Sequence, residues 1–171
     1  MHFDDIMDNT VDGCPGVVTD NHIRAVGVFI ATSFVSFLSF ECSIPVFMAS
    51  LGASIVILFA MPNSDAARPR TVLIGHALSA TIGVLSVSVF GICWYAASIA
   101  VAVSMILMLL LKSVHPPGGA TALIAVTTGA SWDFVMAPVL LGAISLVGVS
   151  ILTEYVVRVR NRACEDREVR G

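Results

Sequence analysis

Long apolar runs, interrupted at a few points by proline, glycine and charge, set the pattern of this chain. The first run, Ile23 to Phe40, is flanked by Arg24 and Glu41 and carries Phe29, Phe34, Phe37 and Phe40. It predicts a membrane helix whose aromatics contact lipid or neighbouring helices. Residues 42 to 64 are also uncharged, but Pro45 near the start and Gly52-Ala53-Ser54 in the middle argue against one continuous helix. The pattern predicts an extended or poorly helical piece over 43–51, then a short helix from Gly52 to Met61. At about 1.5 Å per residue that helix reaches about 15 Å, half a hydrocarbon core. A third run, Thr71 to Phe90, places Gly75, Ser79 and Gly83 four apart on one face, the spacing that lets membrane helices approach closely. A turn at Gly91-Ile92 leads to a fourth run, Cys93 to Leu111, with Trp94 and Tyr95 at interfacial depth. A second short helix is predicted over Gly119 to Thr128, ending at Gly129-Ala130-Ser131. A final span from Phe134 to Val157 then meets Arg158, Arg160 and Arg162.

The sharpest interruption is Lys112-Ser113-Val114-His115-Pro116-Pro117-Gly118-Gly119-Ala120-Thr121. Proline removes a backbone donor and biases the residue before it away from helix, so the preceding helix should stop near Lys112 or Ser113. If a new helix begins at Gly118 to Ala120, its free N–H groups and dipole form an anion site. A plain Pro-Gly turn between two spans fits the same residues.

At an offset of 67 residues the two halves resemble each other: Gly52-Ala53-Ser54 aligns with Gly119-Ala120-Thr121, Ile57 with Ile124, Val72-Leu73 with Val139-Leu140, and Gly75 with Gly142. The unit is a long helix, an interrupted segment with a short helix, and a second long helix. The expected fold is therefore an all-α polytopic membrane protein of about six segments. It has two inverted three-segment repeats, 23–90 and 93–157, within a membrane domain 23–157, between an N-terminal tail 1–22 and a basic tail 158–171. With six crossings, Arg24, Arg68, Arg70, Lys112 and the basic tail share one side, and the opposite loops hold Glu41 and Asp133. By the positive-inside rule both termini are then cytoplasmic, in a plasma or inner membrane. If 43–61 and 115–130 were re-entrant instead, four spans would remain and Arg68 and Arg70 would change sides. In the inverted arrangement the two short helices point their N-termini at each other near the midplane, with the hydroxyls of Ser54 and Thr121 at matching positions.

Composition and charge agree with the membrane reading. The chain is 57% apolar and 12% charged, and Thr71 to Leu111 holds no Asp, Glu, Lys or Arg; mean hydropathy is +0.92. A net charge of −3 suggests no nucleic-acid partner. The first 22 residues carry Asp4, Asp5, Asp8, Asp12 and Asp20 without Lys or Arg, the opposite of a cleavable signal. Cys14, Cys42, Cys93 and Cys164 stand singly, with no metal-binding spacing, so neither metal nor cofactor is expected. No nucleophile and base can be paired from spacing alone, so an enzyme is not expected. No carboxylate lies deep in a proposed span, which leaves a cation path without its usual parts. The groups available at depth are helix N-termini, hydroxyls, His76 and His115. His76, taken alone, reads more readily as a packing histidine than as a ligand. Six short segments also point to a homo-oligomer.

The run His115 to Ala122, His-Pro-Pro-Gly-Gly-Ala-Thr-Ala, resembles the signature of the His-Pro-Pro family of integral membrane proteins. A second block resembles the family's other motif in order and spacing: Gly52-Ala53-Ser54, Pro69-Arg70 and Gly75-His76-Ala77-Leu78-Ser79-Ala80. Together they cover residues 23 to 155. One departure is Arg68, which stands where the family usually has Gln before Pro-Arg. The resemblance implies a small polytopic protein associated with transport of nitrite, with the lipid bilayer and a small inorganic anion as its partners. The expected binding residues are His115, Pro116, Pro117, Gly118, Gly119, Ala120, Thr121, Gly52, Ala53, Ser54 and His76, with Lys112 and Arg70 at the entrance. A non-transporting scaffold or sensor subunit is the competing reading.

Overall fold

The computed structural model describes residues 17–41, 43 and 47–168, all of whose regular structure is helical. In chain order the helices are α1 Val17–Glu41, α2 Phe47–Ala60, α3 Pro69–Phe90, α4 Trp94–Leu110, α5 Pro116–Thr127 and α6 Leu141–Glu168. A short 3-10 turn, Asp65–Ala67, precedes α3, and a π-type segment, Val135–Leu140, leads into α6. Among the described residues three stretches are long and apolar enough to cross a membrane: Asp20–Glu41, Pro69–Phe90 and Val135–Cys164. Helix α4, at 17 residues, rises about 25 Å, whereas α2 and α5, at 14 and 12 residues, rise only about 21 and 18 Å.

Several element boundaries depart from the sequence reading, beginning with α1, which starts at Val17 ahead of the expected Ile23. Helix α2 begins at Phe47, not at Gly52. Gly52, Ala53 and Ser54 therefore lie mid-helix, and the second N-terminus expected there is not formed. A single glycine costs a helix only about 1 kcal/mol, too little to break one that is packed on its neighbours. Helix α5 begins at Pro116, with both prolines inside its first turn, where a missing N–H costs nothing. The last span breaks at Ala137, whose φ −136° and ψ 121° are extended, as expected before Pro138. It then continues as helix through Glu168, past the expected end at Val157.

Two matching caps frame the His-Pro-Pro turn. At the end of α4 the Lys112 N–H bonds the Leu109 carbonyl and the Ser113 N–H bonds that of Met108, with Lys112 in the left-handed region at φ +51°. At the end of α5 Gly129 (φ +64°) and Ala130 repeat the pattern to Val126 and Ala125. Both are Schellman caps. The first turns the chain back so sharply that only Ser113, Val114 and His115 separate α4's cap from α5.

The main helix pairings are mirrored between the halves. Helix α1 packs on α2 and α6 as α4 packs on α5 and α3; α2 meets α6 as α5 meets α3; and α2 faces α5 at the centre. A two-fold relation between the repeats produces this set. Buried Leu51, Ile55, Val72, Val84, Ile124 and Leu146 belong to the central apolar core. Phe29 and Trp94 are 73% and 81% exposed, which assigns them to the lipid-facing surface. At one end of the bundle Arg24 pairs with Glu154 at 2.9 Å and Asp20 with Arg160 at 2.8 Å. These partly buried pairs join the start of α1 to the middle and second half of α6.

Candidate functional site

The site is assembled from three helices and one loop that sequence distance keeps apart. Its side chains are Ser50 and Ser54 of α2, His76 of α3, Thr121 of α5 and His115, the N-cap residue of α5; all five are fully buried. Ser50 and Ser54 are four apart and so share one face of α2. Proline at 116 holds His115 extended at φ −117°, ψ 101° and turns its ring inward instead of continuing α4. Close approach of α3 and α5 completes the enclosure. A Cβ on Gly75 would lie 2.6 Å from the Cβ of His115, and one on Gly118 would lie 2.9 Å from the Gly75 carbonyl oxygen. The small-residue face expected on α3 is therefore the face that receives α5, and Gly75, Ser79 and Gly83 are all buried.

The polar atoms form one continuous chain. Ser54 Oγ lies 2.8 Å from His76 Nε2 and 2.9 Å from His115 Nε2. Thr121 Oγ1 lies 2.8 Å from His76 Nδ1 and 2.6 Å from Ser50 Oγ. His115 Nδ1 is 2.9 Å from the Ala66 carbonyl, and Ser50 Oγ is 2.9 Å from the Pro117 carbonyl. The hydrogens follow from the acceptors. A carbonyl only accepts, so His115 Nδ1 carries hydrogen and, with a neutral ring, its Nε2 accepts from the Ser54 hydroxyl. Ser54 Oγ then accepts from His76 Nε2–H, which leaves His76 Nδ1 to accept from Thr121. The rings stand edge to face, with centroids 4.9 Å apart.

The expected binding residues divide accordingly. His115, His76, Thr121 and Ser54 are brought together, and Pro117 joins through its carbonyl. Pro116 is exposed, and Gly119 and Ala120 are half-buried, with Val101 the nearest neighbour of Gly119. Gly52 is half-buried with nothing near its Cβ position, and Ala53 is exposed, so neither lines the cluster. Gly118 serves packing, and its N–H is engaged by the His115 carbonyl at 2.9 Å. With prolines in the first two helical positions, the N-terminus of α5 offers fewer free donors than the sequence suggested. Lys112 and Arg70 are exposed and touch none of the cluster. Arg158 instead lines a pocket of about 310 Å³ between α6 and the 62–69 loop, beside Pro62, Ala67, Ser150 and Glu154. That pocket ends one residue from Ala66, whose carbonyl holds His115.

Sequence reasoning missed Ser50 and the Ala66 carbonyl. Ser50 had a signal: it lies one turn before Ser54 and 67 residues before Pro117, the repeat offset. The carbonyl had none. The structure also pairs a nucleophile type with a base, Ser54 with His115, which spacing alone did not reveal. That pair has no exposed surface, and the far nitrogen of the ring faces a carbonyl where a hydrolase would place a carboxylate. Among the described residues no group of three or more metal-ligating side chains occurs.

The comparisons with known proteins agree with this architecture. The chain is 36% identical over 132 residues to a transmembrane protein of Dictyostelium discoideum, an alignment covering 71% of this chain and 45% of the relative. A second transmembrane protein of the same organism is 34% identical over 121 residues, covering 66% of this chain and 39% of its own. The chain thus spans less than half the length of these curated relatives. No solved structure matches it. The profile of the HPP transmembrane region matches residues 16–163, and with the His-Pro-Pro turn at the heart of its buried cluster this chain belongs to the HPP family of membrane proteins.

Proposed function

We propose that the protein is a transporter or channel for a small inorganic anion, with nitrite the leading substrate, and that the His76–Ser54–His115–Thr121 cluster is its binding site. One observation carries the reading: five fully buried polar side chains, none a carboxylate, converge between the two short helices of a membrane domain. Polar side chains at membrane depth are costly and mark pathways. Hydroxyl and imidazole N–H groups are donors to an anion, and the acid-free lining disfavours cations. Arg158, in the pocket beside the 62–69 loop, joins Lys112 and Arg70 as a cation that draws anions inward. The cluster is closed to solvent, so transport requires α2 and α5 to part. The same closure is what a non-transporting scaffold would need, and flux decides between them.

In liposomes, the purified protein should carry nitrite above the rate of protein-free vesicles. His115→Ala should weaken apparent affinity about tenfold to a hundredfold, the loss of one hydrogen bond to a charged ligand. Wild-type vesicles no faster than empty ones would establish the scaffold.

The proposed orientation, six crossings with both termini in the cytoplasm of a plasma or inner membrane, has its own check. Single-cysteine variants treated with a membrane-impermeant maleimide on intact cells should label at Cys93 and not at Cys164. Four crossings would place Cys93 inside, so its protection would overturn the six-crossing arrangement. Cys42 and Cys14 fall outside the described residues.

A further inference from the structure

The hydrogen-bond chain of the cluster has a direction, and it can run either way without moving a heavy atom. Six contacts run from the Pro117 carbonyl through Ser50, Thr121, His76, Ser54 and His115 to the Ala66 carbonyl, and the neutral side chains hold five hydrogens for them, so one contact goes without. With the gap at Ser50–Pro117, the donors are ordered Ser50 to Thr121, Thr121 to His76 Nδ1, His76 Nε2 to Ser54, Ser54 to His115 Nε2, and His115 Nδ1 to the Ala66 carbonyl. Suppose one proton arrives at Ser50 Oγ. Ser50 passes its own hydrogen to Thr121, Thr121 passes its hydrogen to His76 Nδ1, His76 releases Nε2–H to Ser54, and Ser54 passes its hydrogen to His115 Nε2. One proton has entered, each oxygen again carries one hydrogen, His76 is neutral in its other tautomer, and His115 is an imidazolium. The four links between Ser50 and His115 are still made, now with the donors reversed, and the sixth contact gains its hydrogen. Ser50 gives its new hydrogen to the Pro117 carbonyl at 2.9 Å, and His115 keeps its bond to Ala66.

We propose that this cluster is a binding site for one proton, taken up at Ser50 and held on His115, and that each anion carried is accompanied by that proton. The proposal rests on the transport reading above. Among the described residues no fixed cation reaches the cluster to neutralise a buried anion. Helices α2, α4 and α5 contain no Asp, Glu, Lys, Arg or His, and α3 contributes Arg70, exposed at its start, and His76. The adjoining loop contributes Asp65 and Arg68, which pair with each other at 2.7 Å on the surface. On α6, Glu154 pairs with Arg24, and Arg158 lies in the pocket beyond Ala66. The two rings are thus the groups that can supply positive charge at depth. With centroids 4.9 Å apart, their mutual repulsion allows one charge and opposes two. One imidazolium and one monovalent anion sum to zero, which removes the cost of carrying a bare charge through the bilayer.

The test uses the full chain in liposomes containing a pH dye, with potassium and valinomycin setting the voltage and an inward nitrite gradient at equal pH. After subtraction of protein-free vesicles, which report diffusion of nitrous acid, the lumen should gain one proton for each nitrite. Uptake should be unaffected by voltage and should rise with external acidity, by up to about tenfold per pH unit, the limit for one bound proton. Nitrite entry as a voltage-driven current without acidification would refute the proton proposal and leave the anion reading standing. Entry no faster than in empty vesicles would refute both. Ser54→Thr, which keeps the relaying hydroxyl, should retain coupling, and Ser54→Ala should lose it. Equal coupling in a folded Ser54→Ala protein would overturn the proposal, and if that variant does not fold, the wild-type stoichiometry decides.

Discussion

Gly118→Val is expected to yield no stably folded protein, while Gly119→Ala, one residue along the same helix, should be mildly stabilising. At Gly118 a Cβ would meet Ser79 Oγ at 2.8 Å and the Gly75 carbonyl oxygen at 2.9 Å. A serine can rotate away; a backbone carbonyl in the middle of α3 cannot. Over-packing of this kind costs about 1–3 kcal/mol where the surroundings can relax, and two branched methyl groups against fixed backbone take it to the upper end or beyond. Withdrawal of α5 would also pull Thr121 and His115 from their partners. At Gly119 the nearest atom to a Cβ is Val101 Cγ1 at 3.9 Å, an ordinary contact. There alanine gains the helical preference of about 0.5–1 kcal/mol that glycine forgoes. Denaturation in detergent, followed by size-exclusion chromatography, reads both. A stable Gly118→Val protein would mean that α3 and α5 do not approach as described.

The second large effect comes from removal of a single oxygen. Ser54→Ala should destabilise the protein by about 2–6 kcal/mol, because it strands one nitrogen on each of two buried rings at about 1–3 kcal/mol apiece. The hydroxyls of the cluster have reserve acceptors on their own helices: the Ser50 carbonyl lies 3.2 Å from Ser54 Oγ, and the Pro117 carbonyl 3.4 Å from Thr121 Oγ1. The Nε2 atoms of His76 and His115 share Ser54 and have no other hydrogen-bond partner among the described residues. Loss of the serine should therefore be worse than loss of Thr121. Thermal melts of Ser54→Ala and Thr121→Val, compared with wild type, give the order. A Thr121→Val protein less stable than Ser54→Ala would contradict it.

How far the sequence could be read depended on how local the physics was. The long helices were legible because apolar length and the prolines and glycines at their ends act over a few residues; Thr71 to Phe90 was displaced by only two positions at its start. The pairing of α3 with α5 was half legible. Gly75, Ser79 and Gly83 announced a close-packed face, but nothing near them in the chain said which helix it would receive. The start of α2 was misread, because Gly52 was taken as a break when burial of Leu51, Ile55 and Leu58 on either side of it holds the helix together. Histidines 76 and 115 were singled out as ionisable groups at depth, yet their joint use of Ser54 depends on three-dimensional contacts between residues up to 61 apart. Lys112 has a second local role that its neighbours in sequence did not announce: its left-handed backbone serves the cap of α4 and leaves its side chain in the open.

The contact between Ser50 and the Pro117 carbonyl joins positions 67 apart, so it lies where an axis relating the two repeats would pass. Of the hydroxyls, Ser54 corresponds to Thr121 while Ser50 answers to Pro117, and the rings have no counterparts: Met48 and Ala143 occupy the positions that would answer His115 and His76. A duplicated scaffold with identical halves could open to either side at equal energy. Here the ionisable pair breaks the degeneracy, since parting α5 from α3 pulls Thr121 away from His76, whereas parting α2 from the rest removes Ser50 and Ser54 and leaves both rings behind. The two openings disrupt different bonds, so they differ in cost, an inequality that identical halves would not have.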